Sequence, residues 1–294
     1  MLIASRALDY MFEALKESGQ EFTEDFWLLL FDTVLFPLFG DLRNPGRQRR
    51  FANNDDMSIW LSSTLIKALR QMIELFTFYF DRLKKLLDGI VDLLYVCITQ
   101  GDASLARVST TCFQELIEGN SGQFKAESWS TVAKTIAKLF KATSPIQAVT
   151  SLPSDGITQS TLGGPVLPTE EEVRKESVEL ERCNLFCEKQ LIILDMMTSL
   201  FVTQDTVFDA MTLPELFLLT DATAKSYRHA QKFNRTVQSV ESNPEYMRLQ
   251  PRLLEQEIGC LECCLHILLR LHRRTKGSMA DDQDRHEVER RLMP

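Results

Sequence analysis

The sequence predicts an all-α protein built as a HEAT- or armadillo-like helical-repeat solenoid of about nine helices. Three observations predict it. Glycine (12) and proline (10) are scarce among 294 residues, and most prolines fall between helical patterns. Apolar residues recur at helical spacing in one stretch after another, with capping residues at the boundaries and no credible alternating strand. The stretch 57–100, finally, is too apolar for the surface helices of a compact enzyme.

That stretch reads as two long helices meeting near Asp81. Placing residues 59–83 at 100° per residue gathers Leu61, Leu65, Ile66, Ala68, Leu69, Met72, Ile73, Leu75, Phe76, Tyr79, Phe80 and Leu83 on one side. Ser63, Lys67, Arg70, Gln71, Glu74, Thr77 and Asp81 fall on the other. The apolar arc covers roughly half the circumference, against the ~100° stripe of an ordinary amphipathic helix. Such a helix packs against neighbours on two sides, as in a stacked array. Trp60 and Phe78 point out of the polar side at nearly one wheel angle. They are candidate partner-binding positions; cover by a neighbouring loop is the structural alternative.

The other elements follow in order. A helix over 2–17 is closed by Gly19 at a C-terminal cap position. Thr23 caps a second over 24–39, with Glu24 and Asp25 in its first turn. The polar loop GDLRNPGRQRRFANNDD leads to Asp55 or Asp56, either of which can cap the helix starting near Met57. Asp102 caps a helix over 103–118 ended by Gly119, and another runs over 126–141. Residues 142–168, with four prolines and three glycines and almost no charge, read as a flexible linker. Loops inside compact domains are seldom so long. Thr169 and Glu172 form a capping box for a helix to about residue 202, and a short helix covers 204–210. Thr212 and Glu215 repeat the box for a helix to about residue 240. After Pro244 and Pro251 a last helix covers 252–273, and the tail from Lys276 is polar. The organisation expected is thus two helical-repeat segments, 1–141 and 169–275, flanking the linker and followed by a tail at 276–294.

A net charge of -8 argues against sequence-independent nucleic-acid binding, which needs a basic surface. Seven cysteines, an odd number without regular spacing, do not form a disulfide framework. Most lie in helical patterns as small buried hydrophobes, as in a reducing compartment, so the cytosolic side of a membrane is expected. No signal peptide or membrane span is visible: residues 26–39 are interrupted by Asp32 and Pro37 and are too short. The chain starts inside a helical pattern and reads as a fragment of something longer.

Candidate chemistry is sparse, and neither cofactor nor metal is expected. Cys260, Cys263, Cys264 and His266 have the spacing of thiols on one helix face, which zinc could use. Ile258, Leu261, Leu265, Leu268 and Leu269 share that segment with helical period, so a packed core helix is the preferred reading. Cys183 and Cys187 read as core or half-buried. His229, His266, His272 and His286 show no triad pairing. Asp281, Asp282 and Asp284 faintly resemble an acidic magnesium motif, but Arg285 stands where the last carboxylate belongs. Gly163 and Gly164 lack the lysine of a phosphate loop.

Two basic clusters remain. Arg43, Arg47, Arg49 and Arg50 share one loop, and Arg270, Arg273, Arg274 and Lys276 close the last strong helix. In an acidic chain either could meet anionic lipid or an acidic partner face. Solvated surface is the structural alternative for both, and the second is also favoured by the helix dipole.

The run RALDYMFEALKESGQEFTEDFWLLLFDTVLFPLF resembles the helical region downstream of the catalytic domain in the large Golgi-type, brefeldin-A-inhibited (BIG) Arf guanine-nucleotide exchange factors. The similarity continues through WLSSTLIKALRQMIELFTFYFDRLKKLLDGIVDLLYVCITQGDASLARVSTTCFQELI and KAESWSTVAKTIAKLF, and returns in SYRHAQKFN and LLEQEIGCLECCLHILLRL. It covers most of the chain except 142–168 and the tail, and 235–251 depart from the pattern. The resemblance implies a helical solenoid from the C-terminal end of a longer protein that exchanges nucleotide on Arf GTPases at the trans-Golgi. The exchange domain of such proteins lies upstream, so no catalytic residue carries over. The downstream regions are associated with autoinhibition, membrane recruitment and binding of activated Arf or Rab GTPases.

The function expected is therefore a non-catalytic regulatory segment of an Arf exchange factor in Golgi vesicle transport. Its partners would be small GTPases of Arf or Rab type, other parts of the same protein and the membrane surface, with no nucleic acid. It would be cytoplasmic, held peripherally on Golgi or trans-Golgi membranes. Its candidate contacts are Arg43, Arg47, Arg49, Arg50, Trp60 and Phe78. The alternatives are a solenoid scaffold or trafficking adaptor unrelated to exchange, and an all-helical metal enzyme.

Overall fold

The computed structural model describes residues 2–43, 64–145, 170–238 and 244–277, with positions 286, 288 and 290. Every regular element among these residues is helical, as expected. Helix α1 is Leu2–Ser18. Gly19 follows in a short 3-10 turn instead of a left-handed cap. Its reason is room: a Cβ there would lie 2.5 Å from the Trp27 ring and 2.8 Å from Tyr79.

Thr23 caps α2 (Glu24–Leu30) by accepting the Phe26 N–H at 3.2 Å. The expected helix over 24–39 is not one regular α-helix. It widens into a π turn at Phe31–Leu35, tightens to 3-10 at Phe36–Phe39, and ends in α3 (Gly40–Arg43). Pro37 supplies the cause, because it has no N–H to give and its ring crowds the preceding turn.

The apolar pair comes next. Helix α4 (Ile66–Phe78) stops at Tyr79, whose φ of -110° and ψ of 30° leave the helical region. A short α5 (Phe80–Leu83) and a 3-10 turn at Lys84–Leu86 lead to α6 (Leu87–Thr99). The junction thus spans Asp81, as expected. The Tyr79 hydroxyl donates to the Lys16 carbonyl at 2.7 Å, pinning the bend to the end of α1. The wheel prediction holds closely: Leu65, Ala68, Leu69, Met72, Ile73, Leu75, Phe76, Tyr79, Phe80 and Leu83 are buried. Leu61 lies outside the described residues.

Asp102 caps α7 (Ala103–Asn120) through the Leu105 N–H at 2.6 Å. The helix runs through Gly119 rather than ending before it. Gly119 lets Thr77 approach, and buried Asn120 donates to the Thr77 hydroxyl at 3.0 Å. Helix α8 is Ala126–Ala142. The linker expected over 142–168 is described only to residue 145, and Thr169 of the first capping box also lies outside the described residues.

Helix α9 (Glu170–Met197) ends in a π turn at Thr198–Thr203, before α10 (Asp205–Ala210) and α11 (Leu213–Gln238). At the second capping box the Glu215 carboxylate accepts the Thr212 N–H at 3.1 Å. The last helix, α12, runs Pro244–Gly277 and is longer than the expected 252–273, passing through Pro251. Pro244 stands at its start, where a missing N–H costs nothing. Val288, in the tail expected to be polar, is fully buried.

Packing proceeds along the chain. Helix α1 packs on α4, α4 and α6 on α7, α6 on α8, α7 and α8 on α9, α8 on α11, and both α9 and α11 on α12. One continuous core runs from Phe12 through Trp27, Phe76, Phe113, Trp129, Phe140, Phe201 and Ile267 to Val288. A smaller cluster joins Leu180, Cys183, Cys187, Phe233 and Leu253.

Candidate interaction surfaces

Of the six sequence candidates, the structure places one side chain. Phe78, at the C-terminal end of α4, is 55% exposed, as its wheel angle predicts. Its ring stands edge-on to Tyr79 at 4.8 Å, and the Lys16 ammonium lies 5.5 Å from its centroid. A cation over an aromatic face is a modest attraction at an exposed site. The backbone of Arg43 closes α3, but its side chain and the whole of Arg47, Arg49, Arg50 and Trp60 lie outside the described residues.

The second basic cluster is used by the fold, and the solvated-surface reading of it is corrected at two positions. Arg270 donates to the Val202 carbonyl at 2.8 Å and to Phe201 at 3.3 Å, pairs with Asp205, and lies 4.3 Å over the Phe208 ring. Arg274 donates to the Met211 carbonyl at 2.9 Å. Helix ends leave carbonyls without intrahelical donors; Arg270 supplies donors at the end of the π turn and Arg274 just past α10. Arg273 and Lys276 remain exposed.

Helix α12 bears out the core-packing reading of the CLECCLH thiols, and Leu268 is buried beside them. Cys260, Cys263 and Cys264 pack inward with Ile267 and Leu271. Leu254, Ile258, Leu261, Leu265 and Leu269 form an outward row, each between 36% and 55% exposed. Beside the row, α12 and α9 enclose an open groove of about 620 Å³. Its polar lining is Asp195, Thr198, Glu255, Glu262 and His266, and Leu191, Leu194 and Ile258 line it too. Burial and the neighbouring Glu255 raise the pKa of Asp195. The groove is therefore acidic with an apolar lip. The row was legible in the sequence as a period of three and four; its outward direction was not, because cysteines of equal apolarity competed for the core side.

Buried ionisable groups serve packing. Burial pushes the thiols of Cys112, Cys183, Cys187 and Cys263 up to about 12 and raises Cys260 as well. Such thiols are protonated and unreactive at neutral pH. All seven cysteines are buried and free of disulfides. Among the described residues no group of three or more His, Cys, Asp or Glu is placed to hold a metal ion. Lys189, almost fully buried, donates to the carbonyls of Thr99 (3.1 Å) and Gln100. It thereby caps the C-terminal end of α6 from α9, where a cation is favoured. Burial lowers its pKa to about 8, against an opposing pull from Asp102. Nothing in the sequence around Lys189 distinguished it from a surface lysine. Among the described residues no helix is long and apolar enough to cross a membrane.

Among the described residues the chain is an all-helical body with buried thiols and an exposed apolar row beside an acidic groove. Residues 188–294 match the family model for the BIG2 C-terminal domain, and no match to the Sec7 catalytic domain accompanies it. The ADP-ribosylation factor guanine nucleotide-exchange factor SEC7 of Saccharomyces cerevisiae is 43% identical over 141 residues, 48% of this chain and 7% of that protein. The factor sec72 of Schizosaccharomyces pombe is 27% identical over 310 aligned residues, 97% of this chain and 17% of its own length. Human brefeldin A-inhibited guanine nucleotide-exchange protein 1 is 30% identical over 165 residues, 56% of this chain and 8% of its own. The chain is thus similar to a C-terminal segment of Sec7/BIG-type Arf guanine nucleotide-exchange factors, and it spans less than a fifth of each of these relatives. No solved structure matches it.

Proposed function

We propose that this segment is a non-catalytic regulatory arm of an Arf exchange factor in Golgi vesicle transport, arranged as a helical-repeat solenoid. Its faces bind activated small GTPases of Arf or Rab type, other regions of the same protein, or the cytoplasmic membrane surface. Binding biases how a distant exchange domain meets the membrane, a coupling between two sites through one body. The observation that supports this best is the relation to sec72 over nearly the whole chain, joined to the BIG2 C-terminal match at 188–294. The basic loop with Arg43, Arg47, Arg49 and Arg50 is the proposed contact for anionic lipid or an acidic GTPase face. Trp60 and Phe78 are the proposed apolar contacts.

Flotation of the chain with liposomes carrying GTP- or GDP-loaded Arf and Rab proteins tests the reading. Recruitment that depends on the bound nucleotide is expected for at least one of them. Reversing charge at Arg47, Arg49 and Arg50 is expected to weaken recruitment roughly tenfold or more, given about 1 kcal/mol per basic residue near an anionic surface. Equal recruitment by every GTPase in both nucleotide states would refute GTPase sensing, and unchanged binding of the reversed variant would remove the loop from the contact.

A further inference from the structure

Helices α8 and α11 pack side by side, over α9 and α12. Gln190 of α9 donates to the Phe140 carbonyl near the end of α8 and accepts from Gln256 of α12. Asn234, near the end of α11, donates to the Leu253 carbonyl at 3.2 Å and to Glu257, on either side of that same Gln256. The C-terminal ends of α8 and α11 therefore lie level, and two packed helices with level ends run in the same direction. At 100° per residue, Lys134, Lys138 and Lys141 fall within about 60° on α8. Lys225, Arg228, Lys232 and Arg235 fall within about 80° on α11. All of these are exposed, whereas Ile136, Phe140, Ala230 and Phe233 turn inward. The carboxylates on the outward arcs, Glu127 and Asp221, come before the cations in each helix. His229, at the edge of the α11 row, has its pKa lowered by burial and by the Lys225, Arg228 and Lys232 charges around it. Among the described residues, none of Lys134, Lys138, Lys141, Lys225, Arg228 and Arg235 is in an ion pair.

We propose that this two-helix face lies on a bilayer bearing anionic lipid, as a surface separate from the basic loop at 43–50. Five of its seven cations are lysines, and among the described residues neither helix exposes a large apolar side chain. Protein interfaces are poor in lysine and are anchored by aromatic residues. A diffuse anionic surface, by contrast, is met by lysine and arginine charge alone. Two helices side by side also present their rows in one plane, about 15 Å long from residue 225 to 235. The chain as a whole carries a net charge of -8. An anionic surface therefore attracts this face and repels the rest, which selects one orientation.

The test is co-sedimentation of the 294-residue chain with phosphatidylcholine vesicles holding about 30% phosphatidylserine, with no GTPase present. Binding is expected at about 0.05 M salt, with a steep fall by about 0.3 M as the charges are screened, and none to pure phosphatidylcholine. Lys134→Gln with Lys138→Gln and Lys141→Gln should weaken it at least about tenfold. Lys225→Gln with Arg228→Gln and Arg235→Gln should do the same, and the six together should weaken it at least about a hundredfold. The thermal midpoint should hold, since all six side chains are exposed. Lys84→Gln with Lys125→Gln and Arg273→Gln removes as much charge elsewhere and should change binding less than about twofold. No binding to the anionic vesicles overturns the inference and leaves the face to an acidic protein. A loss in the control as large as in either triple variant overturns it too, as does a six-fold variant that binds like the parent. In that last case, a loss on Arg47→Glu with Arg49→Glu and Arg50→Glu assigns the vesicle contact to the loop.

Discussion

The buried thiols set a steep alkaline limit on stability. Cys112, Cys183, Cys187 and Cys263 titrate at about 12 in the folded chain, and Cys260 is raised in the same direction by the same burial. In the unfolded chain each titrates at roughly 8.5–9. A folded pKa above the unfolded one means that the folded state holds its proton longer. The stability this represents is complete below about pH 8.5 and is lost as pH rises from there toward 12. Between pH 8 and 9.5 each thiol gives up about 1 kcal/mol, or about 5 kcal/mol for the five. Lys189 works the other way. Its folded pKa of about 8 lies below the ~10.4 of a free lysine, so the cost of its buried charge is relieved as pH rises through 8. Over the same interval that returns about 1–2 kcal/mol. The net expectation is a loss of about 3–4 kcal/mol, a large part of an ordinary folding free energy.

Urea denaturation in reductant at pH 8, 8.5, 9 and 9.5 measures this. Cys183 is the cleanest probe, because burial alone accounts for its shift. Cys183→Ala is less stable than the parent at pH 8, yet it should lose about 1 kcal/mol less on going to pH 9.5. Lys189→Met should lose about 1–2 kcal/mol more, having surrendered the compensating gain. Comparing slopes removes the cavity and the lost hydrogen bonds from the result, since neither depends on pH. Equal slopes in parent, Cys183→Ala and Lys189→Met would refute the reasoning.

Two other substitutions follow from contacts on the page. Arg270→Ala removes the donor to the Phe201 and Val202 carbonyls, the partner of Asp205 and the cover of Phe208. A loss of about 2–4 kcal/mol is expected by chemical denaturation, while Arg273→Ala, at an exposed site, should stay within about 0.5 kcal/mol. Gly19→Ala forces a methyl group against Trp27 and Tyr79 and should cost about 1–3 kcal/mol, with a lowered thermal midpoint.

Helix existence was legible because it rests on local physics. The apolar arc, over its described residues 65–83, and the caps at Thr23 and Asp102 involve residues three or four apart, and each appears in the structure. The failures came from one local irregularity and otherwise from distant residues. The irregular turns through Phe31–Phe39 depend on where Pro37 falls relative to carbonyls already committed to the helix. The role of Gly19 depends on two aromatic rings, one of them sixty residues away. Of the candidate site, the outward aim of Phe78 was readable from its wheel angle. The direction of the α12 leucine row was not, since a helix apolar on both sides offers two choices and only α9 and α11 decide between them. Arg270, Arg274 and Lys189 were unreadable for a related reason: a cation on a helix looks the same in sequence whether it meets water or a neighbour's carbonyls.

Lys189 also bears on how the two halves of this segment are joined. The BIG2 C-terminal match begins at residue 188, inside α9 rather than between helices. On the N-terminal side of that point, Leu180, Cys183 and Cys187 pack with Phe233 and Leu253, and the Cys187 thiol donates to the Arg252 carbonyl at 3.2 Å. On the C-terminal side, Lys189 caps α6, and Gln190 donates to the Phe140 carbonyl at 2.8 Å while accepting from Gln256. Glu188 pairs with Arg107 at 3.4 Å and with Arg252 at 3.7 Å. One turn of α9 therefore ties α6, α8 and α12 together through buried or part-buried polar bonds that would be costly to leave unmade, with an exposed ion pair to α7 beside them. This turn and the packing of α11 on α8 are two connections that join α12 to the first half of the chain. The packed unit is consequently larger than residues 188–294, the part that matches the domain model.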